Sequence, residues 1–119
     1  MLRTEIALDT YALPLQLVQQ KVVPHLNIVE LKSDVQSGLA TWQQQELEAG
    51  FSKDACPLIR FAALITPDAG FHLGLSFHHA ILDGWSEASL VAELMALYSA
   101  MLNGRELPLV PLSSRYCDF

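Results

Sequence analysis

Residues 71–82 alternate between two sets of side chains, and this pattern constrains the fold more than any other. One set is apolar apart from a single histidine: Phe71, Leu73, Leu75, Phe77, His79 and Ile81. The other set is small or polar: His72, Gly74, Ser76, His78 and Ala80. Because successive side chains of a strand point to opposite faces, the pattern predicts a strand that separates His78 from His79. We expect His79 to lie with the apolar set, in a packed layer or a water-poor cleft.

A second strand is predicted directly before this one. Leu58–Ile65 is almost continuously apolar, which is typical of a strand covered on both faces. Residues 67–70 (Pro-Asp-Ala-Gly) form a turn sequence, so the two strands are expected to make a hairpin. Arg60 interrupts the apolar run. It is either an edge charge that reaches solvent, or a buried partner for Asp83 or another acid.

The rest of the chain predicts a few further elements. Arg3–Leu8 and Leu26–Leu31 are typical of short strands, whereas Leu15–Val23 fits either a strand or a short helix that ends at Pro24. Leu107–Pro111 reads as an extended exit. The expected fold class is therefore α/β (α+β), with a mixed sheet of about four to five strands and two main helices.

The first helix is predicted at Ser33–Glu48. Ser33 and Gln36 form a capping-box pattern, and Gly50 is a typical helix end. An apolar stripe at near-helical spacing consists of Val35, Leu39, Trp42 and Leu47. We interpret Trp42 as a core residue and residues 43–46 (Gln-Gln-Gln-Glu) as a solvated face.

The second helix is predicted within Asp83–Asn103, with Asp83 or Ser86 as its cap and Gly104 as its end. Its wide apolar face contains Leu90, Val91, Leu94, Met95, Leu97, Tyr98, Met101 and Leu102.

Composition bounds the class of protein. The chain has 119 residues, 51% of them apolar, and a net charge of −6, which fits one soluble globular unit. The acidic balance argues against binding to nucleic acid or to an anionic membrane. No apolar run has membrane-spanning length, and no signal peptide opens the chain. Cys56 and Cys117 lack metal-like spacing and are interpreted as free thiols in a reducing cytoplasm.

The end of the alternating stretch carries groups suited to catalysis. A histidine among apolar side chains tends to stay uncharged, and a neutral imidazole can accept a proton from a nucleophile. Asp83 could orient His79, or it could pair with an arginine and hold the turn into the helix. Gly84 suits a tight turn or the close approach of a ligand. His78 is interpreted as structural. A metal site is disfavoured because adjacent strand histidines diverge, and His25 and His72 add no ligand spacing.

Residues 78–84 (HHAILDG) resemble the HHxxxDG motif of condensation domains in non-ribosomal peptide synthetases. Three other segments support this resemblance. Residues 1–4 end in LRT like an earlier family motif, residues 51–61 resemble its F…PLLR segment, and residues 97–108 resemble the helix and proline exit that follow the motif. The resemblance thus covers the whole chain. It implies a chloramphenicol acetyltransferase-like half-domain, because condensation domains have two lobes and the 119 residues match the N-terminal lobe only.

The resemblance also implies an acyltransferase of secondary-metabolite (antibiotic) biosynthesis. A carrier-bound acyl or peptidyl thioester would be joined to a carrier-bound aminoacyl amine, with both substrates held on phosphopantetheine. His79 would be catalytic, as a base or as a positioning group. Arg3, His78, Asp83 and Gly84 would support it, and Trp85 and Ser86 would set the start of the helix. No directly bound cofactor or metal is implied.

The same resemblance implies binding partners and leaves two alternative functions open. The partners would be the upstream and downstream peptidyl carrier proteins and the C-terminal lobe. Heterocyclising relatives carry aspartates in place of the histidine pair, and Trp85-Ser86 after Gly84 favours condensation over epimerisation. One alternative is an epimerisation-type relative. The other is a non-catalytic remnant or structural half-domain. Whichever of these functions the parent protein has, the isolated 119-residue chain is expected to be inactive.

Overall fold

In a computed structural model, residues 2–52 and 55–107 of the chain are described. Within these ranges the element order is β1 (Thr4–Ala7), β2 (Leu15–Val18), β3 (His25–Glu30), α1 (Val35–Ala49), β4 (Ile59–Ile65), β5 (Phe71–Phe77) and α2 (Gly84–Leu102). The five strands and two helices confirm the predicted class. Cys117, Met1 and the exit beyond Leu107 lie outside the described residues.

The strands form two sheets, so the prediction of one mixed sheet of four to five strands was wrong in this respect. β1 and β2 pair antiparallel. The other sheet has the order β3-β4-β5, with β3 parallel to β4 and β4 antiparallel to β5. The expected hairpin is therefore confirmed as β4–β5, with Ile59 opposite Phe77 and Ile65 opposite Phe71. Residues 8–14 connect β1 to β2, and these two strands pair only with each other among the described residues.

Helix α1 connects the parallel strands β3 and β4 and packs on one face of their sheet. Trp42 of α1 lies against Gly74 of β5, where an added Cβ would come within 2.5 Å of the indole. Only a glycine lets the ring approach the sheet this closely. Trp42 is thus a packing residue, as predicted.

The bounds of α1 differ slightly from the prediction. The N-cap is Asp34, whose carboxylate accepts a hydrogen bond from the Ser37 amide at 3.1 Å, and not Ser33. Gly50 ends the helix with a positive φ of 52°. Leu47 does not belong to the buried stripe, since it is 77% exposed. It follows Trp42 by five residues, about 140° around the helix from the sheet-facing side.

The chain divides into two compact units, residues 1–83 and 84–119. The buried apolar residues of the first unit are Ala7, Leu58, Ile59, Ala62, Leu64, Ile81 and Leu82. The described part of the second unit is α2 and the segment after it, where Gly104 has a φ of 61° and the Arg105 amide donates to the Ala100 carbonyl. Gly104 ends this helix as predicted. No helix of the described ranges is both long and apolar enough to cross a bilayer.

Candidate active site

The histidine pair lies just beyond the end of β5. The strand stops at Phe77, and His79 lies in a turn, so the predicted strand over residues 71–82 was too long. The His78 amide still donates to the Leu58 carbonyl at 3.0 Å, which extends the ladder by one bond. After it, the Ile81 amide donates to the His78 carbonyl at 3.1 Å. The Ala80 amide donates to Nδ1 of His78 at 3.1 Å, so both amides turn back and the ladder ends.

The turn is anchored on both sides. Before it, the His78 amide is held by the carbonyl of Leu58, which directly precedes β4. After it, Ile81 and Leu82 are each only 4% exposed and belong to the core. An exposed segment of residues 78–80 is thus fixed between a strand and two buried side chains. We call this segment the histidine turn.

His79 is exposed, so the first of the two expected surroundings, a packed layer, was wrong. Its ring meets the Phe77 ring at a centroid distance of 5.3 Å and an angle of 76°. The imidazole is therefore not shielded from solvent in the described fold. The position leaves the ring accessible on a turn whose ends are anchored, a common setting for functional side chains.

His78 is exposed as well, but its surroundings differ from those of His79. Its ring meets Phe51 edge-on, with centroids 6.5 Å apart and an angle of 88°. The two imidazoles thus contact different aromatic rings and diverge, as the alternation predicts. Across residues 2–52 and 55–107, no group of three or more His, Cys, Asp and Glu side chains could hold a metal ion.

Asp83 and Gly84 form the junction with α2. Asp83 is exposed and directly precedes the helix, which begins at Gly84. A Cβ at Gly84 would meet no atom of the described residues within 4 Å. Neither packing there nor a positive φ therefore requires a glycine. Trp85 is 86% exposed, and Ser86 follows it in the first turn of the helix.

Arg60 has a definite partner. Its Nε and Nη2 donate to Oε2 of Glu46 at 2.9 and 2.7 Å, and its Nη1 donates to the Gly50 carbonyl at 2.7 Å. Of the two interpretations of Arg60, pairing with an acid is confirmed, and the acid is Glu46. The side chains are mostly buried, at 23% exposure for Arg60 and 17% for Glu46.

The interpretation of Glu46 as part of a solvated face was wrong. It follows Trp42 by four residues and so shares the side of α1 that faces the sheet. Burial is the largest single influence on its pKa and raises it. Hydrogen bonds from Arg60 and Ser76, with the charges of Arg60 and His25, outweigh burial and hold the pKa below the ordinary value. The Trp42-to-Glu46 spacing could have revealed this position.

Arg3 lies on the other sheet of the first unit. Its Nη1 donates to the carbonyls of Gln19 and Gln20 at 2.7 and 2.9 Å. The next residue, Thr4, is only 1% exposed. These contacts tie the chain entering β1 to the chain leaving β2.

An open depression of about 540 Å³ lies near the turn between β4 and β5 and is lined in part by Thr66, Asp68 and His72. It is at the opposite end of β5 from the histidine turn. It therefore contributes nothing to the candidate site.

The chain belongs to the condensation-domain family, because the family profile, described as "Condensation domain", matches residues 1–119. Among curated proteins it is 35% identical, over 87% of its length, to the beauvericin nonribosomal cyclodepsipeptide synthetase of Beauveria bassiana. It is 44% identical, over 56% of its length, to the AMB antimetabolite synthetase AmbE of Pseudomonas aeruginosa. The chain spans only 3% of each of these two relatives.

A solved structure shows the same fold. The epimerization domain from the third module of tyrocidine synthetase B superposes with a TM-score of 0.76. The match covers 98% of this chain and 27% of that chain, at 22% identity. The predicted chloramphenicol acetyltransferase-like fold is thereby confirmed.

Proposed function

We propose that the chain is the N-terminal-lobe part of an amide-forming condensation domain in a non-ribosomal peptide synthetase. Family membership and the sequence of the histidine turn support this proposal. The observation that carries it is the exposed ring of His79 on a turn anchored by the core residues Ile81 and Leu82. Such a turn can present an imidazole to substrates at a fixed position.

The reaction is the aminolysis of a thioester. The acceptor amine attacks the carbonyl carbon of the donor thioester, the C–N bond forms, and the C–S bond breaks. The amine loses one proton, and the departing pantetheine thiolate takes one up. A thioester is already activated, so the site must chiefly hold two tethered reactants together and manage this proton. No cofactor needs to be bound by the chain itself.

His79 has two candidate roles in this step. As a general base it takes the proton from the attacking amine. As a positioning group it only hydrogen-bonds the amine and stabilises the positive charge that develops on nitrogen. Both roles require an exposed ring at the reacting centre.

The neighbouring residues support His79. Asp83 is proposed to hold the junction with α2 through an arginine, either Arg3, Arg60 or one in the other lobe. In the described fold, Arg60 binds Glu46, and Arg3 binds the carbonyls of Gln19 and Gln20. Gly84 is proposed to leave room for a pantetheine arm, since nothing in the described fold demands a glycine there. His78 is structural.

The partners follow from the reaction. The donor and the acceptor arrive on phosphopantetheine of the upstream and downstream peptidyl carrier proteins. The C-terminal lobe closes the other side of the site. We place the assembly in the cytoplasm, where carrier proteins are loaded.

The test is amide formation by a complete condensation domain that contains residues 1–119, supplied with two loaded carrier proteins. His79→Ala should lower the rate by about 100-fold or more, which is the usual range for loss of a proton-transfer group. His72→Ala is the matched control, because His72 is an exposed histidine like His79 but lies in β5, outside the motif. A wild-type rate for His79→Ala would overturn the proposal. Racemisation of the donor without amide formation would assign the chain to the epimerising relatives.

A second variant separates the two roles of His79. Glutamine can donate and accept hydrogen bonds but cannot take up a proton at neutral pH. If His79 is a base, His79→Gln should be as slow as His79→Ala. If His79 positions the amine, His79→Gln should keep a clearly higher rate than His79→Ala.

A further inference from the structure

Arg60 fixes the segment that follows α1. Its guanidinium makes three hydrogen bonds, two to Glu46 and one to the Gly50 carbonyl. A planar group held at three nitrogens cannot rotate freely, and hydrogen bonds between an arginine and a carboxylate are stronger than those between neutral groups. The carbonyl of Gly50 is thereby held in place, and Phe51 follows it directly.

The same guanidinium lies over the ring of Phe51. The Cζ atom of Arg60 is 4.2 Å from the ring centroid, well within the range of a cation–π contact. Phe51 is thus restrained through its backbone and its ring face by a single side chain. Arg60 thus contacts one face of the Phe51 ring.

The ring of Phe51 in turn contacts the ring of His78. The two rings stand at 88°, with centroids 6.5 Å apart, which is a favourable edge-to-face arrangement. On its other side, Nδ1 of His78 accepts the hydrogen bond from the Ala80 amide. The proton of the neutral ring is therefore on Nε2. His79 lies between the two residues that this bond joins.

We propose that Arg60 and Phe51 are positioning residues for the histidine turn. They set the orientation of the His78 ring, and the bond from the Ala80 amide to that ring fixes the backbone of His79. The inference rests on the proposed function, because it gives His78 the task of placing the reacting imidazole. A merely structural ion pair of Arg60 and Glu46 would affect stability alone and leave the His78 ring unchanged.

The geometric part is tested by NMR on the 119-residue chain. In the wild type, the nitrogen shifts of His78 should show an unprotonated Nδ1 and a protonated Nε2, with cross-relaxation between its ring and Phe51. Phe51→Leu keeps an apolar side chain but removes the ring. The His78 ring should then lose its single tautomer, and exchange of the Ala80 amide should become about fivefold faster, as expected for a weakened hydrogen bond.

Two further variants complete the series. Arg60→Lys keeps the charge beside Glu46 but loses the planar fork, so it should shift the His78 signals in the same direction as Phe51→Leu. Phe51→Tyr keeps the aromatic edge, so its His78 signals should match those of the wild type. Leu64→Val is the matched control, because it weakens a buried position at the far end of β4. It should leave His78 unchanged.

Two NMR outcomes would overturn the proposal. One is an unchanged His78 tautomer in both Phe51→Leu and Arg60→Lys while the β4–β5 amide signals stay native. The other is a shift of His78 in Leu64→Val as large as in these variants. If Phe51→Leu does not fold, Arg60→Lys and Phe51→Tyr still decide between the two readings.

The functional part is tested in the complete condensation domain. Phe51→Leu should lower kcat by roughly tenfold or more, because a displaced reacting group loses much of the advantage of orientation. KM should change by less than about twofold, because the substitution is expected to displace the reacting group and not to alter substrate binding. A wild-type kcat together with shifted His78 signals would overturn the positioning role. The proposed function would be untouched by that result, because His79→Ala tests it separately.

Discussion

At the residue scale, Gly74 and Gly84 differ in whether packing requires a glycine. A Cβ at Gly74 would come within 2.5 and 2.6 Å of two atoms of the Trp42 ring and 3.1 Å of Leu64. At Gly84 a Cβ would meet nothing within 4 Å in the described part of the chain. The first glycine is required by packing in the core. The second is free of that requirement.

We therefore expect Gly74→Ala to destabilise the chain by about 1–3 kcal/mol, the usual cost of overpacking a rigid contact. The free energy of unfolding from urea titration gives the measurement. Gly84→Ala is the matched control and should stay within about 0.5 kcal/mol of the wild type. Trp42→Phe should relieve the clash, so the two changes should cost less together than the sum of their separate costs. Additive costs would show that the indole does not press on Gly74.

The pair of Glu46 and Arg60 predicts a pH dependence of stability. The pKa of Glu46 lies below its ordinary value of 4.5 in the folded chain. A lowered pKa means that the folded state binds the proton less readily than the unfolded state. The stabilisation is therefore complete above pH 4.5 and is lost as the pH falls through the folded pKa.

Glu46→Gln should cost about 2 kcal/mol near pH 7, the range for a hydrogen bond between charged groups. Below pH 4.5 the gap between variant and wild type should shrink. Unfolding midpoints in urea, measured from neutral to acidic pH, provide the comparison. Glu48→Gln serves as the control, because Glu48 is exposed on the same helix. A constant gap at every pH would contradict the assignment of the effect to the Glu46 carboxylate.

At the element scale, the sequence predicts what depends on local chemistry. The β4–β5 hairpin follows from apolar strands around a turn sequence, and the ends of both helices follow from Gly50 and Gly104. The end of β5 does not follow from alternation, because it depends on bonds from the Ala80 and Ile81 amides to His78. The grouping of strands into two sheets depends on long-range pairing, which no local pattern encodes.

The candidate site also contains some residues that the sequence identifies and others that only the structure reveals. The HHxxxDG pattern identifies His79, His78, Asp83 and Gly84 without any structure. The roles of Glu46 and Phe51 could not be read from it, because both act through Arg60 across a sheet and a helix. Helical spacing from Trp42 was the available signal for Glu46, and a run of glutamines obscured it.

The exposed edge strand β3 suggests that the chain associates with itself in concentrated solution. It lies at an edge of its sheet, and two of its apolar side chains, Leu26 and Ile28, are 59% and 72% exposed. An exposed apolar edge strand favours pairing between chains. We therefore expect the sedimentation coefficient of the 119-residue chain to rise with concentration.

Ile28→Lys should reduce this association, because a lysine on an edge strand opposes pairing with a second strand. Gln43→Lys introduces the same charge on the exposed side of α1 and is the control. It should leave the association unchanged. A chain that sediments as a monomer at every concentration would refute the prediction for β3.

At the scale of the whole molecule, the proposed aminolysis needs a surface on both sides of the substrates, and this chain would supply one of them. It spans 27% of the solved epimerization domain whose fold it shares. The histidine turn is open to solvent, and both candidate roles of His79 depend on a second surface that excludes water and orients the thioesters. An exposed imidazole alone is a poor catalyst of aminolysis.

We therefore expect the 119-residue chain to form no amide from two loaded carrier proteins above the uncatalysed rate, although it folds. The measurement is mass spectrometry of the carrier-bound products, with circular dichroism of the same sample to establish folding. Adding the remaining lobe of a complete condensation domain as a separate chain should raise the rate, and the rise should require His79. Product formation by the chain alone, abolished in His79→Ala, would mean that these residues contain a sufficient active site. The proposed need for a second lobe would then fall, while the assignment of His79 would stand.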